Sequence, residues 1–364
     1  MDTTKMNVCI AGSYHANNKG DELIFVALQK RLEQKENVNI TLLSNDPHYF
    51  TKKYGVKAIK PSSLVGVIKT LRHCDMLIIG GGGLFFDYTL YDTLKIKGKT
   101  QLLYWLIITK IASKIFKKTV VWYSVGFGPL TTRFARWAVR HTARSVTKIL
   151  PRDQYSTNLL SDLGITENVS QSADCVYGLD LTQFSNTPSQ NSIVIFPRQW
   201  EEQEAQLVTL FKDIITKEIE LGNQVILSNT NDEKDGHFTK KIYAHFESNH
   251  NVKYSPLKKS DSMERFCGLI SNAKYIITMR MHPIIVASLY GIPSIAIEYQ
   301  TPKMIQCMKD LGMEKYLVSF PSSTPEVFKK LDNCQKMYSQ IHKNITKNIE
   351  NIKKHEKINE YILQ

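Results

Sequence analysis

The segment Cys74-Asp75-Met76-Leu77-Ile78-Ile79 is an almost continuous apolar run that ends in four consecutive glycines, Gly80 to Gly83. A run of this kind suits a strand buried on both faces, as central strands of parallel sheets are. Consecutive glycines cost chain entropy and are tolerated where backbone must turn sharply or approach something closely. A loop that only had to turn would manage with one, so Gly80-Gly81-Gly82-Gly83-Leu84-Phe85-Phe86-Asp87 is expected to face a ligand.

Other apolar runs alternate with helical patterns around this one. Asn7–Ala11 leads through Gly12-Ser13-Tyr14-His15-Ala16-Asn17-Asn18-Lys19-Gly20-Asp21-Glu22 into a helix from about Leu23 to Leu32. Glycine and asparagine ahead of a helix expose backbone N–H groups, a common receiver of anions and sugar hydroxyls, although neither a G-x-G-x-x-G nor a P-loop spacing is present. Strands are expected at Asn39–Leu43, Val120–Val125, Lys148–Leu150 and Ser172–Val176, and helices at 101–118 and 132–148. Arg133, Arg136, Arg140, Arg144 and Lys148 recur every three or four residues, which gathers cations on one face of the second helix.

The stretch 182–191 is uncharged, polar and contains a proline, as linkers do, and the alternation restarts after it. Ser192–Phe196 ends in Pro197-Arg198, and Gln224–Leu227 ends in Ser228-Asn229-Thr230. Tyr275–Thr278 ends in Met279-Arg280-Met281-His282, followed by a small-residue helix and the strand Ser294–Ile297. Such alternation implies parallel sheets flanked by helices. The chain is therefore expected to be α/β, with a first domain over 1–181, a second over 182–324, and a lysine-rich helical C-terminal tail over 325–364.

Six cysteines without a C-x-x-C pair point to buried thiols. The start of the chain lacks a signal-peptide layout, and the longest charge-free apolar stretch in the middle of the chain, Thr100 to Thr109, is about half of what a membrane span needs, so a cytoplasmic protein is expected. The net charge of +13 predicts anionic company. No G-x-S-x-G, H-E-x-x-H or paired-carboxylate motif stands out, which disfavours nucleophilic hydrolysis and metal chemistry; no metal or cofactor is expected.

If two such domains face each other across a cleft, their strand ends bring Asn17, Asp21, the glycine run with Asp87, Arg152, Arg198, Arg280, His282, Glu298, Tyr299 and Lys303 to its two sides. Three arginines and a lysine suit a small substrate with several anionic oxygens. His282, two residues from Arg280, suits acid–base work near neutral pH.

These residues also form an ordered set: Asn-Asn-Lys-Gly-Asp-Glu (17–22), the glycine run (80–87), Ser-Val-Gly-Phe-Gly-Pro-Leu (124–130), Arg-Asp-x-x-Ser (152–156), Ala-Asp (173–174), Arg-Met-His (280–282) and Tyr-x-x-x-Lys (299–303). In this the chain resembles the polysaccharide pyruvyltransferase family, departing at Cys175, where that family usually carries proline. The resemblance implies two Rossmann-like domains in a GT-B-like arrangement. It further implies transfer of pyruvate from phosphoenolpyruvate to two hydroxyls of a sugar, galactose by family frequency, during capsular or exopolysaccharide synthesis. By the same resemblance, Arg280 and His282 are catalytic, and Arg152, Arg280 and Lys303 bind the donor, as does Arg198 by its strand-end position. Asn17, Asp21, Gly82, Gly83 and Asp87 are expected to hold the acceptor, with Asp21 or Asp87 as base. The acceptor is either polyprenyl-diphosphate-linked or a finished polymer. A lipid-linked acceptor would set the basic faces at 110–118 and 133–148 against an anionic inner leaflet, making the protein peripheral to the membrane. Two rival readings are a GT-B glycosyltransferase using a sugar nucleotide, with Glu298 on the ribose, and a basic nucleic-acid-binding protein. The latter lacks any recognised motif, and no nucleic-acid partner is expected.

Overall fold

A computed structural model of the chain describes residues 5–87, 96–184, 192–299 and 302–363. The chain divides into two compact units. The first comprises residues 1–16, 21–178 and 353–364, and the second residues 17–20 and 179–352.

In the first unit the elements run β1 (Met6–Ala11), α1 (Lys19–Leu32), β2 (Val38–Leu43), α2 (Pro47–Tyr54), β3 (Lys57–Ile59), α3 (Leu64–His73), β4 (Met76–Phe85), α4 (Ile96–Lys110), β5 (Thr119–Phe127), α5 (Arg133–Ala143), β6 (Lys148–Pro151) and α6 (Gln154–Asp162). α1 begins in the second unit with Lys19 and Gly20 and continues into the first from Asp21. The six strands form one parallel sheet in the order β3-β2-β1-β4-β5-β6. Its core is aliphatic and aromatic, with Leu77, Ile79, Phe85, Val120 and Trp122 each fully enclosed.

The second unit repeats the plan. β7 (Ser192–Phe196), α7 (Glu204–Glu220), β8 (Gln224–Leu227), α8 (Asp232–Tyr243) and β9 (Val252–Tyr254) lead to α9 (Met263–Ser271), β10 (Tyr275–Thr278) and α10 (Met281–Leu289). β11 (Ser294–Glu298), α11 (Pro302–Asp310), β12 (Leu317–Ser319), α12 (Thr324–Lys336) and α13 (Tyr338–Glu356) complete the elements. This sheet is also parallel, in the order β12-β11-β10-β7-β8-β9.

Both sheets therefore reverse their winding once, between β1 and β4 in the first unit and between β7 and β10 in the second. At such a reversal the flanking helices diverge to opposite faces and leave a crevice beyond the carboxyl ends of the strands, where open α/β sheets bind ligands. The glycine run follows one side of the first crevice, and Arg198, Arg280 and His282 follow the two sides of the second.

The edge strands β3, β9 and β12 are three residues each and carry no apolar run long enough to read, so the sequence does not announce them. Ser172–Val176, expected as a strand, is instead an extended lead into a 3-10 turn at Cys175–Gly178. Ser170 and Ser172 donate backbone N–H bonds to Ile149 and Pro151 of β6. Helix 132–148 is shorter than expected because α5 stops at Ala143. Of the linker 182–191, Thr182–Phe184 form a 3-10 turn and the rest lies outside the described residues. All six cysteines are buried thiols. Among the described residues no helix is long and apolar enough to cross a membrane.

Candidate functional site

Beyond the carboxyl ends of four adjacent strands of the second unit lie Tyr299 (after β11), Arg280 and His282 (after β10), Arg198 (after β7) and Asn229 to Asn231 (after β8). Arg280 caps the start of α10 in extended backbone, its N–H bonded to Thr278 Oγ1 at 2.9 Å, which aims its side chain away from the helix. The guanidinium meets Asp235 side-on, Nε to Oδ2 at 2.9 Å and Nη2 to Oδ1 at 2.6 Å. Asp235 is fully buried on α8, whereas the Arg280 side chain retains 16% exposure. Two parallel charge-assisted bonds fix the plane of the guanidinium and leave its end-on fork, Nη1 and the second N–H of Nη2, without a bond among the described residues. Such a fork suits a carboxylate or phosphate.

His282 lies in the first turn of α10, half-buried, with its Nε2 enclosed. A Cβ on Gly20 would fall 2.3 Å from His282 Nδ1, so only a glycine permits this approach of the α1 start to the imidazole. The segment 17–20 is strapped to the loop after β8. Lys19 N–H donates to the Thr230 carbonyl at 2.8 Å, and Asp232 N–H to that of Asn17 at 3.2 Å. Lys19 is itself buried, its Nζ donating to the carbonyls of Asp261 and Lys259. The strap explains why Asn17, expected on the acceptor side in the first half of the chain, belongs to the second unit, where its amide donates to Glu233 at 3.1 Å.

Arg198 lies over the Tyr299 ring, 4.4 Å from its centroid; Trp200 packs against that ring, and Phe320 packs in turn against Trp200. A guanidinium on an aromatic face keeps its in-plane N–H donors directed elsewhere. Lys303 is exposed in the first turn of α11, and Glu298 is buried at the end of β11.

In the first unit the four glycines continue as part of β4, paired with β5, and do not form a loop. Packing accounts for most of them. A Cβ on Gly80 would strike the Tyr123 carbonyl, one on Gly81 the Ile24 side chain, and both Gly81 and Gly82 have positive φ. A Cβ on Gly82 would have room, 3.4 Å from Ile24 Cδ1, but its φ of +87° favours glycine; at Gly83 neither constraint holds, and a Cβ would meet only Arg152 Nη2 at 3.8 Å.

Arg152 folds back over this edge, close against Gly126, with its side chain 3% exposed. Its Nη1 donates to Asp174 at 3.1 Å, and Nε is 3.4 Å from Asp153, so two carboxylates match its charge inside the unit. Asp87 is likewise engaged. It is fully buried and accepts four bonds from the N–H and hydroxyl groups of Thr131 and Thr132, pinning the start of α5. Burial by itself pushes this carboxyl up; the four donors outweigh it and hold the group below the usual carboxylate range. A carboxylate so occupied is a poor proton acceptor, and Asp87 is therefore left out of the acceptor site proposed below. Asp21 is half-buried in the first turn of α1.

Asp235 was not singled out by sequence reasoning. Its signal is a spacing: Asp235, Phe238, Thr239 and Ile242 recur at helical intervals as the buried face of α8, and an aspartate on such a face requires a cationic partner.

No curated protein matches the sequence. Among solved structures, the UDP-GlcNAc 2-epimerase of Neisseria meningitidis bound to UDP-GlcNAc is 13% identical and covers 98% of each chain at a TM-score of 0.64. A glycosyltransferase from Rickettsia africae is 12% identical over 100% of this chain and 99% of that one, at 0.60. The UDP-GlcNAc 2-epimerase from Methanocaldococcus jannaschii is 16% identical over 90% and 92%, at 0.58. At such identities the likeness is one of fold, the GT-B arrangement of two parallel sheets with flanking helices. A family model described as polysaccharide pyruvyl transferase matches residues 18–301, most of the chain, including Arg152, Arg198, Arg280 and His282. The chain therefore belongs to the polysaccharide pyruvyl transferase family and is a transferase with a role in polysaccharide pyruvylation.

Proposed function

We propose that the protein transfers pyruvate from phosphoenolpyruvate to two hydroxyls of one sugar, forming a cyclic ketal. The observation that carries this reading is Arg280, locked side-on by Asp235 with its end-on fork presented two residues from His282. The fork takes the donor's carboxylate or phosphate, with Arg198 and Lys303 as further cations of the same unit. Arg152 is not required in this set, because Asp174 and Asp153 already match its charge.

In the first step His282, as imidazolium, gives a proton to the methylene carbon of phosphoenolpyruvate, which becomes a methyl group. C2 is left electron-deficient, and a sugar hydroxyl adds to it and loses its proton. The C2–O bond to phosphate breaks, inorganic phosphate leaves with the bonding pair, and a second hydroxyl closes the ring with loss of its own proton. Fixed cations disperse the charge of the departing phosphate, an effect for which loss of a single donor typically raises the barrier by about 3–4 kcal/mol. The acceptor is proposed to be held from the first unit by Asp21 and by the backbone at Gly82 and Gly83. Galactose, lipid-linked or polymer-bound, is the expected sugar.

Phosphate release from phosphoenolpyruvate, measured with and without a panel of galactosides, glucosides and N-acetylhexosaminides, tests the reading. Release that needs both substrates and falls by about two to three orders of magnitude in Arg280→Ala supports it. Calorimetry that detects no phosphoenolpyruvate binding, together with binding of a UDP-sugar, overturns it in favour of sugar-nucleotide transfer with Glu298 on the ribose.

A further inference from the structure

The positive charge of this protein is not spread over its length. Between Asp92 and Asp153 lie 60 residues with 13 lysines and arginines and no aspartate or glutamate, and the other 304 residues carry 34 of each sign. The whole excess therefore belongs to one segment, which builds α4, the π-helical turn Ile111–Ile115 that continues it, β5 and α5. Between α4 with its π turn and α5 runs a surface groove of about 730 Å³, lined by apolar side chains such as Leu103, Leu106 and Ile111 and rimmed by Lys110, Lys114 and Arg144.

Large apolar side chains stand out from that groove. Ile107, Ile115, Phe134 and Trp137 are 55%, 67%, 56% and 59% exposed. On α5, Phe134, Trp137 and His141 follow one another at helical spacing, with the Trp137 indole stacked flat on the His141 ring, 5.4 Å between centroids. At about 100° per residue, Arg133, Arg136, Arg140 and Arg144 form the adjoining stripe, and Ala135, Val139 and Thr142 the buried one. α5 thus has three faces: one packed on the unit, one aromatic and one cationic. Tryptophan beside arginine on an exposed helix face matches the headgroup region of a bilayer, where the indole sits at the polar boundary and each cation meets anionic lipid. An aqueous surface gives no reason for such a stripe to stay exposed.

We propose that the α4–α5 face docks on an anionic phospholipid bilayer, with Phe134, Trp137, Ile107 and Ile115 entering the interface and the groove between the helices accommodating lipid chain. Lys114, Arg144 and the arginine stripe of α5 hold the headgroups, while the Lys110 ammonium ties α4 to α5 by donating to the His141 carbonyl and the Ser145 hydroxyl. The surface lies wholly within the first unit and stands independently of the reaction proposed above.

Trp137 supplies its own readout, because the other three tryptophans, Trp105, Trp122 and Trp200, are 4%, 0% and 7% exposed. With the full chain and vesicles of phosphatidylglycerol in phosphatidylcholine, co-sedimentation is expected, with a blue shift of tryptophan emission and quenching by brominated lipid. Phosphatidylcholine alone should bind at least tenfold less. Arg133→Gln, Arg136→Gln and Arg144→Gln together should weaken partitioning on the order of 100-fold at low salt. Phe134→Ser with Trp137→Ser should weaken it comparably and abolish the shift and quenching; four of the five positions are exposed and Arg136 is half-buried, and far-ultraviolet circular dichroism checks the fold. The proposal is overturned by absence of binding to anionic vesicles, by binding without the emission change, or by variants that partition like the parent. Two further results would also overturn it in favour of another occupant. One is a dimer in sedimentation equilibrium that the double variant breaks. The other is tighter retention of duplex DNA than of vesicles, lost in the same variants.

Discussion

Asp235 and Asp87 are both fully buried aspartates, yet they act on different things. Asp235 orients a cation whose other edge is open, so its removal should be felt in chemistry as well as in stability. In Asp235→Asn one of the two acceptors of the Arg280 fork becomes a donor, and the guanidinium loses its fixed plane. We expect kcat/KM for phosphoenolpyruvate to fall about 100-fold, near 3 kcal/mol of transition-state stabilisation, and Arg280→Lys to fall by a similar factor because a point charge cannot keep both bonds. Steady-state phosphate release checks both. A loss confined to thermal stability, with kcat/KM unchanged, would assign the pair to folding alone.

Asp87 holds backbone, so its effect is on stability and depends on pH. Its folded carboxyl titrates below the ordinary value of about 3.9, so the stabilisation is complete above that pH and is lost as pH falls through the folded value. Asp87→Asn should lower the stability of the first unit by about 2 kcal/mol at pH 7, and the gap from the parent should narrow toward pH 3, as read from hydrogen exchange in β4 and β5.

The glycine run shows how far an element can be read before its neighbours are known. Apolar Met76–Ile79 followed by glycines was legible as a buried strand, and so was the alternation that makes both sheets. What the glycines do was not, because the atoms that require them come from elsewhere: the Tyr123 carbonyl of β5 and the Ile24 side chain of α1. The same holds for Gly20, whose neighbour His282 is 262 residues away in sequence. The pair Arg280 and His282 was legible because strand, exposed turn and small-residue helix are contiguous. The carboxylate that fixes Arg280 lies on another helix and was not. A graded set of alanines separates packing from ligand contact. Gly81→Ala puts a methyl 1.9 Å from Ile24 Cγ2 in backbone of φ +72°, and should lower the melting temperature by several degrees, on the order of 2–3 kcal/mol. Gly83→Ala meets only the Arg152 guanidinium at 3.8 Å and should leave the melting temperature within about 1–2 °C of the parent. If the Gly83 backbone contacts the acceptor, that variant raises the acceptor KM while leaving phosphoenolpyruvate binding unchanged. Loss of stability at Gly83 equal to that at Gly81 would remove the acceptor assignment.

At the scale of the molecule, the C-terminal segment is part of the first unit's interior. Residues 353–364 belong to that unit although 179–352 belong to the other, and Asn359 and Ile362 are completely enclosed. Asn359 donates to the Ala173 carbonyl at 3.0 Å, and Glu356 takes a 2.6 Å bond from Arg31 of α1, both side chains less than a tenth exposed. A Cβ on Gly178 would fall 2.6 Å from Arg31 Nη2 and 2.7 Å from the Glu356 carboxyl, so the chain passes from the first unit to the second against this ion pair. A buried pair of this kind gives little net stability over apolar residues of the same shape, while loss of one partner strands a charge and costs about 3–5 kcal/mol. Arg31→Met alone and Glu356→Leu alone should each destabilise the first unit by that amount, and the double variant should recover most of it. Because a chain of two units does not unfold in one step, the measurement is hydrogen exchange by segment. Exchange should accelerate in α1 and β5 of the single variants and return toward the parent in the double, with β7 and β10 unchanged throughout. Equal acceleration in both sheets would mean that the pair stabilises the second unit as well. Additive losses in the double variant would mean that Arg31 and Glu356 act through separate contacts and that the terminal segment is held by Asn359 and Ile362 without them.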